Sequence, residues 1–403
     1  MDFNLTPEQK ELQERARKFT REYITPYANE LEKQNEVPID IVQKAYELGL
    51  MNLHVPKDVG GPGLELLEET LVAEAIGYGC AGCATSINVN NLALAPILLA
   101  ATKEQLKKYI TPIITGEKVK FMSFCLTERM AGSDAAAITT RAIKDGEQYI
   151  INGEKCFISS APLAALHSVF AKLEPEIDKK PHRNMAVFMV PADLPGVSIG
   201  HIENKVGQRC STQSEVIFED VRIPVDCLVG KEGQGFYLSM QTLDMTRAGI
   251  AAIATGVAQR ALDEAARYAN VRKQFGQSIG RFQGISFILA DLQAKVLASR
   301  QLTRYAAWLA DQGIRNSMES ACAKFYASDT AMEGAINAIQ VLGGYGYMEE
   351  YPVEKLMRDA KLLQIYEGTN EIQRLVAGNA VLKGAPEATG FELKYPGRNA
   401  PQI

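Results

Sequence analysis

The spacing of hydrophobic residues changes twice along this chain of 403 residues, and that change limits the fold more than any other feature. Up to about residue 118, and again from about residue 235, apolar residues recur every three or four positions, which is the repeat of a helix packed on one side. Between these regions they occur in short β-rich runs separated by turn residues. The sequence therefore predicts a β unit between two helical units.

The first helical unit carries two clear signals for helix starts. Thr6 and Gln9 form a capping-box pattern, in which a threonine side chain and a glutamine three residues later each satisfy a backbone N–H. Thr102 and Gln105 repeat the pattern. We therefore predict an N-terminal α-helical domain over residues 1–119.

The middle unit contains five short runs with high β propensity. They lie at residues 121–126, 148–151, 167–170, 185–190 and 215–218. Asn152-Gly153 is the strongest signal for a two-residue hairpin turn. Glycines at positions 230, 233 and 235 mark the end of the β pattern. We predict a middle β-barrel or sandwich domain over residues 120–232.

The third unit is a long series of helical patterns that runs nearly to residue 383. Ile250, Ile253 and Val257 recur at helical spacing and begin this series. We predict a C-terminal helical bundle over residues 233–403, in which Pro386–Ile403 form a loosely held tail. The fold class is therefore α+β and multidomain.

Composition excludes several classes of protein. The chain has 43 basic and 48 acidic residues, a net charge of -5 and no basic run, so we expect no nucleic-acid partner. The polar N-terminus lacks the apolar core of a secretion signal. In the longest uncharged window, residues 75–102, the continuous apolar part covers only Leu92 to Ala101, which is too short to span a bilayer. We expect a cytoplasmic protein without a membrane span.

Cysteine and histidine spacing gives no metal motif. Cys80-Ala-Gly-Cys83 has the spacing of a redox motif or of half a zinc site, but no second pair follows and no βαβ pattern surrounds it. The four histidines are scattered. We interpret the cysteine pair as packing of small residues, expect all seven cysteines to be reduced thiols, and predict no metal site.

Glu367 is the single residue most suggestive of catalysis. It follows an apolar segment and precedes Gly368-Thr369-Asn370, which indicates a bend into a new helix. A carboxylate in an apolar pocket has a raised pKa and can act as a base near neutral pH. Most glutamates beside a helix start only stabilise the helix dipole, so both interpretations stay open for this residue taken alone. The loop at 126–134 and the glycines at 343–346 are likewise consistent with turns or with the close approach of a ligand.

Four motifs resemble the acyl-CoA dehydrogenase family in order and spacing, and the match covers essentially the whole chain. They are Thr127-Glu128-x-x-Ala131-Gly132-Ser133-Asp134, Arg272-Lys273-Gln274-Phe275-Gly276, Gln340-Val341-Leu342-Gly343-Gly344, and the segment from Tyr351-Pro352 to Tyr366-Glu367-Gly368-Thr369. The pattern is closest to the short- and medium-chain type, which has its base in the last motif. The resemblance implies a C-terminal four-helix bundle, non-covalently bound FAD and a homotetramer.

The resemblance also implies a reaction, the α,β-dehydrogenation of an acyl-CoA thioester to the 2-enoyl-CoA. Glu367 would abstract the α proton, flavin N5 would take the β hydride, and electrons would pass to an electron-transferring flavoprotein. In some branches the base lies at the position of Thr246, which cannot act as a carboxylate. The alternatives are an acyl-CoA oxidase that uses O2 and a non-catalytic acyl-CoA-binding protein on the same fold.

The matching motifs imply two sets of binding residues. For FAD these are Phe124, Leu126, Thr127, Ser133, Phe157, Ile158, Ser159, Arg272, Gln274, Phe275, Gln283, Gln340, Gly343, Gly344, Thr369 and Glu371. For the acyl-CoA these are Ser133, Asp244, Arg247, Gly368, Asn88 and Asn91.

Particular roles follow from the same resemblance. Thr127 would bond the edge of the flavin ring, Ser159 would donate to N5, and Arg272 would reach the FAD of a neighbouring subunit. The amides at 88 and 91 either suit a polar, branched or ring-bearing acyl group or satisfy buried backbone. The chain departs from the family pattern at Arg129-Met130, which replaces Pro-Gly, and at Phe157, where tryptophan is frequent.

Overall fold

The computed structural model describes residues 4–388. The N-terminal α-helices are α1 (Pro7–Phe19), α2 (Ala28–Gln34), α3 (Ile39–Glu47), α4 (Leu66–Gly79), α5 (Ala81–Ala100), α6 (Lys103–Gln105) and α7 (Thr111–Ile114). At the start of α1 the Thr6 hydroxyl accepts from the Gln9 N–H at 3.2 Å, and the Gln9 side chain accepts from the Thr6 N–H at 3.0 Å. The same box starts α6, so both predicted capping boxes are confirmed.

α5 occupies most of the uncharged window at residues 75–102. Among residues 4–388 it is the one helix long and apolar enough to cross a membrane, but 72% of that stretch is buried inside the protein. It packs against α4 and the first β-strand. Its composition is explained by its place in the core.

The middle region forms one sheet of eight strands. They are β1 (Phe121–Cys125), β2 (Arg141–Asp145), β3 (Gln148–Ser159), β4 (Ala164–Glu174), β5 (Met185–Pro191), β6 (Val197–Ile202), β7 (Gln213–Pro224) and β8 (Leu228–Val229). The strand order is β6-β7-β3-β2-β4-β5-β8, and β1 pairs in parallel with β4. The five predicted β runs lie in β1, β3, β4, β5 and β7, which confirms them.

The predicted hairpin turn at Asn152-Gly153 is wrong. The chain turns between β2 and β3 instead, where Asp145 pairs with Gln148. Asn152 and Gly153 lie inside β3 at a break in register with β7. A Cβ on Gly153 would lie 2.5 Å from the Thr140 hydroxyl, so close packing requires the glycine at this position.

The C-terminal region consists of long helices. They are α8 (Gly235–Val271), α9 (Gln283–Asp311), α10 (Ser317–Leu342), α11 (Pro352–Leu363) and α12 (Asn370–Ala388), with a small hairpin of β9 (Lys273–Gln274) and β10 (Gln277–Ser278) between α8 and α9. α10 packs against α8, α9 and α12. α12 continues past Pro386, so that part of the predicted tail is helical, and residues 389–403 lie outside the described residues. The domain borders at 119/120 and 232/233 stay predictions.

Two glycine contacts join the N-terminal helices to the C-terminal bundle. A Cβ on Gly77 of α4 would lie 2.7 Å from the carbonyl oxygen of Ile253, and one on Gly256 of α8 would lie 2.3 Å from that of Glu74. Residues without a Cβ let two helix backbones approach this closely. α4 and α8 therefore cross in direct backbone contact and share one hydrophobic core.

Candidate active site

A cavity of about 560 Å³ lies where α4, α5 and α8 meet the sheet and the loop after α11. Among its lining residues are Glu69, Asn88, Asn91, Phe124, Thr127, Phe157, Ser159, Gln213, Thr246, Tyr366 and Glu367. The fold thus brings the predicted base together with four predicted flavin contacts and with both predicted asparagines. They come from positions 88 to 367 of the sequence.

The backbone at Glu367 has an unusual conformation. Glu367 has φ +53° and Gly368 has φ +91°, both in the left-handed region, which costs a non-glycine residue about 1–3 kcal/mol. Lys324 of α10 stabilises this loop by hydrogen bonds. Its ammonium group donates to the carbonyl oxygen of Gly368 at 2.9 Å and to the side chain of Asn370 at 3.0 Å. The predicted bend into a new helix is confirmed, because α12 begins at Asn370.

Burial raises the pKa of Glu367 to about 7. The Thr246 hydroxyl donates to Glu367 Oε2 at 2.7 Å and opposes this increase in pKa, as do the cationic Arg247 and Lys324. The Glu69 carboxylate acts in the other direction. A carboxyl group with a pKa this close to neutral suits a group that accepts and releases a proton.

Asp244 and Arg247 form the expected helix pair on α8. The Arg247 guanidinium donates to Asp244 at 2.7 Å, and its side chain is only 4% exposed. The guanidinium also lies 3.5 Å from the backbone oxygen of Glu367, and burial lowers the pKa of Arg247. The pair therefore contacts the Glu367 loop through Arg247, but neither residue is among those that line the cavity. Its predicted contact with CoA stays a prediction.

The β region contributes the wall that suits a flavin. Gln213 donates to the Ser159 hydroxyl oxygen at 3.0 Å, which leaves the Ser159 O–H free to donate. The side-chain oxygen of Gln213 is buried and has no partner within residues 4–388. Phe124 and Phe157 place aromatic rings beside these groups. Free donors and acceptors next to aromatic surfaces fit a planar heterocycle with hydrogen-bonding edges, such as the isoalloxazine of FAD.

A buried ion pair fixes the loop that follows β1. Lys155 and Glu128 are 0% and 6% exposed, and their charged atoms lie 2.8 Å apart. Burial would raise the pKa of Glu128, but Lys155 and the hydrogen bonds of Thr140 lower it to about 2. Arg129 and Met130, which depart from the family pattern, lie in this loop. Arg129 pairs with acidic side chains of the sheet, and the side chain of Met130 is 90% exposed.

Several predicted residues do not line this cavity. Leu126 and Ile158 are buried, whereas Ser133 is exposed on its loop. Thr369 and Glu371 lie at the start of α12, where Thr369 accepts from a helix N–H. Their roles stay predictions.

A second group of predicted residues lies at the far end of the C-terminal helices. The members are Arg272, Gln274, Phe275, Gln283, Gln340, Gly343 and Gly344, and all of them are exposed. The Arg272 guanidinium lies 5.7 Å from the ring of Tyr345, so the second family motif lies beside the residue that follows the third motif. Within one chain they do not reach the cavity. Their contact with the FAD of a neighbouring subunit stays a prediction.

Sequence reasoning missed Glu69, Lys324 and Gln213. Glu69 is 3% exposed and pairs with His54 beside the cavity. Glu69 and Lys324 each place a charge at a buried position of a helix, in α4 and in the alanine-rich α10. A charge on the apolar face of a helix is a signal that could have found both residues.

Three family models match the chain in order. They describe the N-terminal domain of acyl-CoA dehydrogenase at residues 6–117, the middle domain at 123–221 and the C-terminal domain at 233–382. Acryloyl-CoA reductase (NADH) of Anaerotignum propionicum is 40% identical over 95% of this chain and 96% of its own length.

Two solved structures have nearly the same fold. Butyryl-CoA dehydrogenase from Megasphaera elsdenii has a TM-score of 0.91 and 37% identity, over 95% of this chain and all of its own. A chain from a structure of the electron transferring flavoprotein of Acidaminococcus fermentans also has a TM-score of 0.91, with 39% identity over the same shares of the two chains.

Proposed function

We propose that Glu367 is the catalytic base of this chain, which belongs to the acyl-CoA dehydrogenase family and carries out FAD-dependent α,β-dehydrogenation of an acyl-CoA thioester. The observation that supports this role is the position of the Glu367 carboxyl group. It has a pKa near 7 and lines the same cavity as the wall that suits a flavin. A base whose pKa lies near the operating pH combines a useful ionised fraction with enough basicity to remove a proton.

The residues around Glu367 have separate roles in the reaction. FAD, when bound, supplies the acceptor for the hydride from the β carbon. The Glu367 carboxylate takes the α proton, and the Thr246 hydroxyl holds one of its oxygens at 2.7 Å. Apolar lining residues such as Ile250 and Leu362 exclude water, which keeps the carboxylate a stronger base than it would be in solvent.

Anaerobic flavin bleaching tests the assignment of the base. An acyl-CoA substrate, found with a panel of straight, branched, dicarboxylic and alicyclic thioesters, should bleach the flavin of the wild-type protein in one turnover. Glu367→Gln should keep FAD and lose several powers of ten in the bleaching rate, because the proton acceptor is gone. Glu350→Gln, which changes an exposed glutamate outside the cavity, should bleach normally. An undiminished rate in Glu367→Gln would assign the base to another residue.

The electron acceptor is proposed from a relative. A chain of the same fold occurs in a structure of an electron transferring flavoprotein, and we propose that such a flavoprotein accepts the electrons here. Reduced protein should transfer electrons to the flavoprotein faster than to dissolved O2. Faster consumption of O2 would instead indicate the oxidase.

We also propose a homotetramer in the cytoplasm. The C-terminal region exposes large apolar side chains, with Phe275 93%, Phe287 61% and Tyr347 76% exposed. An exposed surface of this kind is typical of a subunit interface. Light scattering on a size-exclusion column should give four times the mass of the chain. A monomer that retains FAD would contradict the proposal.

A further inference from the structure

Three cysteines from distant parts of the sequence meet in the core. Cys80, Cys83 and Cys210 are each buried, and their sulfur atoms all lie within 4.8 Å of one another. The sulfur atoms of Cys80 and Cys210, which are 130 residues apart in the sequence, lie 4.0 Å from each other. The Cys-x-x-Cys pair therefore has a third thiol beside it, which the sequence did not predict.

The surroundings of Cys80 favour a thiolate. Cys80 is both the C-cap of α4 and the N-cap of α5, so the dipoles of the two helices act on it in opposite directions. The Lys355 ammonium lies 3.2 Å from the Cys80 sulfur. The same ammonium also pairs with the carboxylates of Asp359 and Glu32. Hydrogen bonds from the neighbouring cysteines and the charge of Lys355 lower the pKa of Cys80.

Cys210 is placed to act as the second thiol. A Cβ on Gly82 would lie only 3.1 Å from the Cβ of Cys210, so the glycine lets the loop before β7 approach the start of α5. The hydrogen bond to Cys80 raises the pKa of Cys210, which therefore keeps its proton. One thiolate beside one thiol is the pair that forms a disulfide after oxidation.

The segments that carry the cluster also contribute residues to the wall of the Glu367 cavity. Thr85, Gly207 and Gln213 line that cavity, and each lies within five residues of a cluster cysteine. None of the three cysteines lines the cavity and each is fully buried, so a small oxidant has to pass between the lining residues to reach them.

We propose that Cys80 and Cys210 form an oxidative modification site that a hydroperoxide converts into a disulfide. The Cys80 thiolate attacks one peroxide oxygen, the O–O bond breaks, the leaving hydroxide takes a proton to become water, and Cys80 becomes a sulfenic acid. The Cys210 thiol attacks that sulfur, the S–O bond breaks, and a second water leaves with the proton of Cys210. Two thiols have then lost two electrons and two protons, and one hydrogen peroxide has become two waters.

The bond requires a short movement and links two regions of the fold. The sulfur atoms must close from 4.0 Å to about 2.05 Å. The disulfide would join the start of α5 to the loop before β7. The Thr85 hydroxyl already donates to the Gln208 side chain of that loop at 2.8 Å, so the oxidised form would reinforce an existing contact.

The test uses the purified, FAD-loaded protein with hydrogen peroxide as oxidant. Free thiols should fall from seven to five, and dithiothreitol should restore them. In non-reducing denaturing gels the oxidised chain should migrate faster, because the bond closes a loop of about 130 residues. Cys210→Ser should abolish the faster band, whereas Cys322→Ser, which changes a half-buried cysteine outside the cluster, should keep it.

A peptide map of the oxidised wild-type chain decides the outcome even if a variant fails to fold. A peptide pair linked through Cys80 and Cys210 supports the proposal. A bond between Cys80 and Cys83, which would not change gel mobility, overturns it. Oxidation confined to Cys322 also overturns it, as does stoichiometric metal in the purified protein that is released when the three cluster thiols are alkylated.

Discussion

The hydrogen bond from Thr246 to Glu367 should set the pH at which the enzyme becomes active. Thr246→Val keeps the shape of the side chain and removes the donor that lies 2.7 Å from the carboxylate. A hydrogen bond to a charged group contributes about 1.5–3 kcal/mol, and one pKa unit corresponds to about 1.4 kcal/mol. Because the donor favours the ionised form, its loss should raise the pKa of Glu367 by roughly one to two units.

The assay is the pH dependence of the anaerobic bleaching rate at subsaturating substrate. The wild-type rate should rise with pH around pH 7, where the carboxyl group of Glu367 titrates. In Thr246→Val the same rise should occur at about pH 8 to 9, with a loss of roughly 5- to 50-fold at pH 7 and near-complete recovery at the highest pH. FAD content should not change, because the substitution at Thr246 does not alter the residues of the β region that suit a flavin.

Thr246→Ser is the matched control, since it retains the hydroxyl and should keep the profile of the wild type. An unchanged acid limb in Thr246→Val would refute the argument that this bond tunes the base. A uniform loss of rate at every pH would instead mean that Thr246 positions Glu367 without altering its pKa.

Three further predictions concern stability. Because burial raises the pKa of Glu367 from 4.5 to about 7, the folded state binds more protons than the unfolded state in that window, and wild-type stability should fall by up to about 3 kcal/mol as pH rises through it; urea unfolding at pH 4.5 and pH 8 should show no such loss in Glu367→Gln. Lys155→Met should cost about 3–5 kcal/mol in the same assay, because it leaves the Glu128 carboxylate buried without its cation, and a neutral effect would contradict the ion-pair argument. Gly256→Ala should lower the melting temperature, since its Cβ would lie 2.3 Å from a carbonyl oxygen of α4, whereas Gly378→Ala, with open space around it, should raise the temperature slightly.

The fold could be predicted from the sequence because its evidence is local. Capping boxes and hydrophobic periods act over a few residues, and the helices and strands that they predict are present. The hairpin at Asn152-Gly153 failed for a physical reason. A tight turn and a β-bulge both use a residue pair that tolerates unusual backbone angles, and the contact with Thr140 that selects the bulge is formed by the folded chain.

The site was predicted only as far as the family motifs reach. Glu367 lies in such a motif, and the structure gives it the burial that its predicted role requires. Glu69 and Lys324 lie in no motif, and their importance depends on which helix face packs against α8 and the Glu367 loop. The meeting of Cys80 with Cys210 is a contact across 130 residues, which no local pattern encodes.

The length of α8 makes the three regions inseparable. Its first residue, Gly235, lies against β5, where a Cβ would be 2.7 Å from the Ala186 nitrogen. Thr246 lies in its fourth turn, and Gly256 lies further along, where α8 crosses α4. A cut near residue 232 would leave the base and its hydrogen-bond donor on one fragment and most of the cavity wall on the other. Exchange of a middle region between relatives would therefore have to preserve the contact of α8 with β5 as well as the strands.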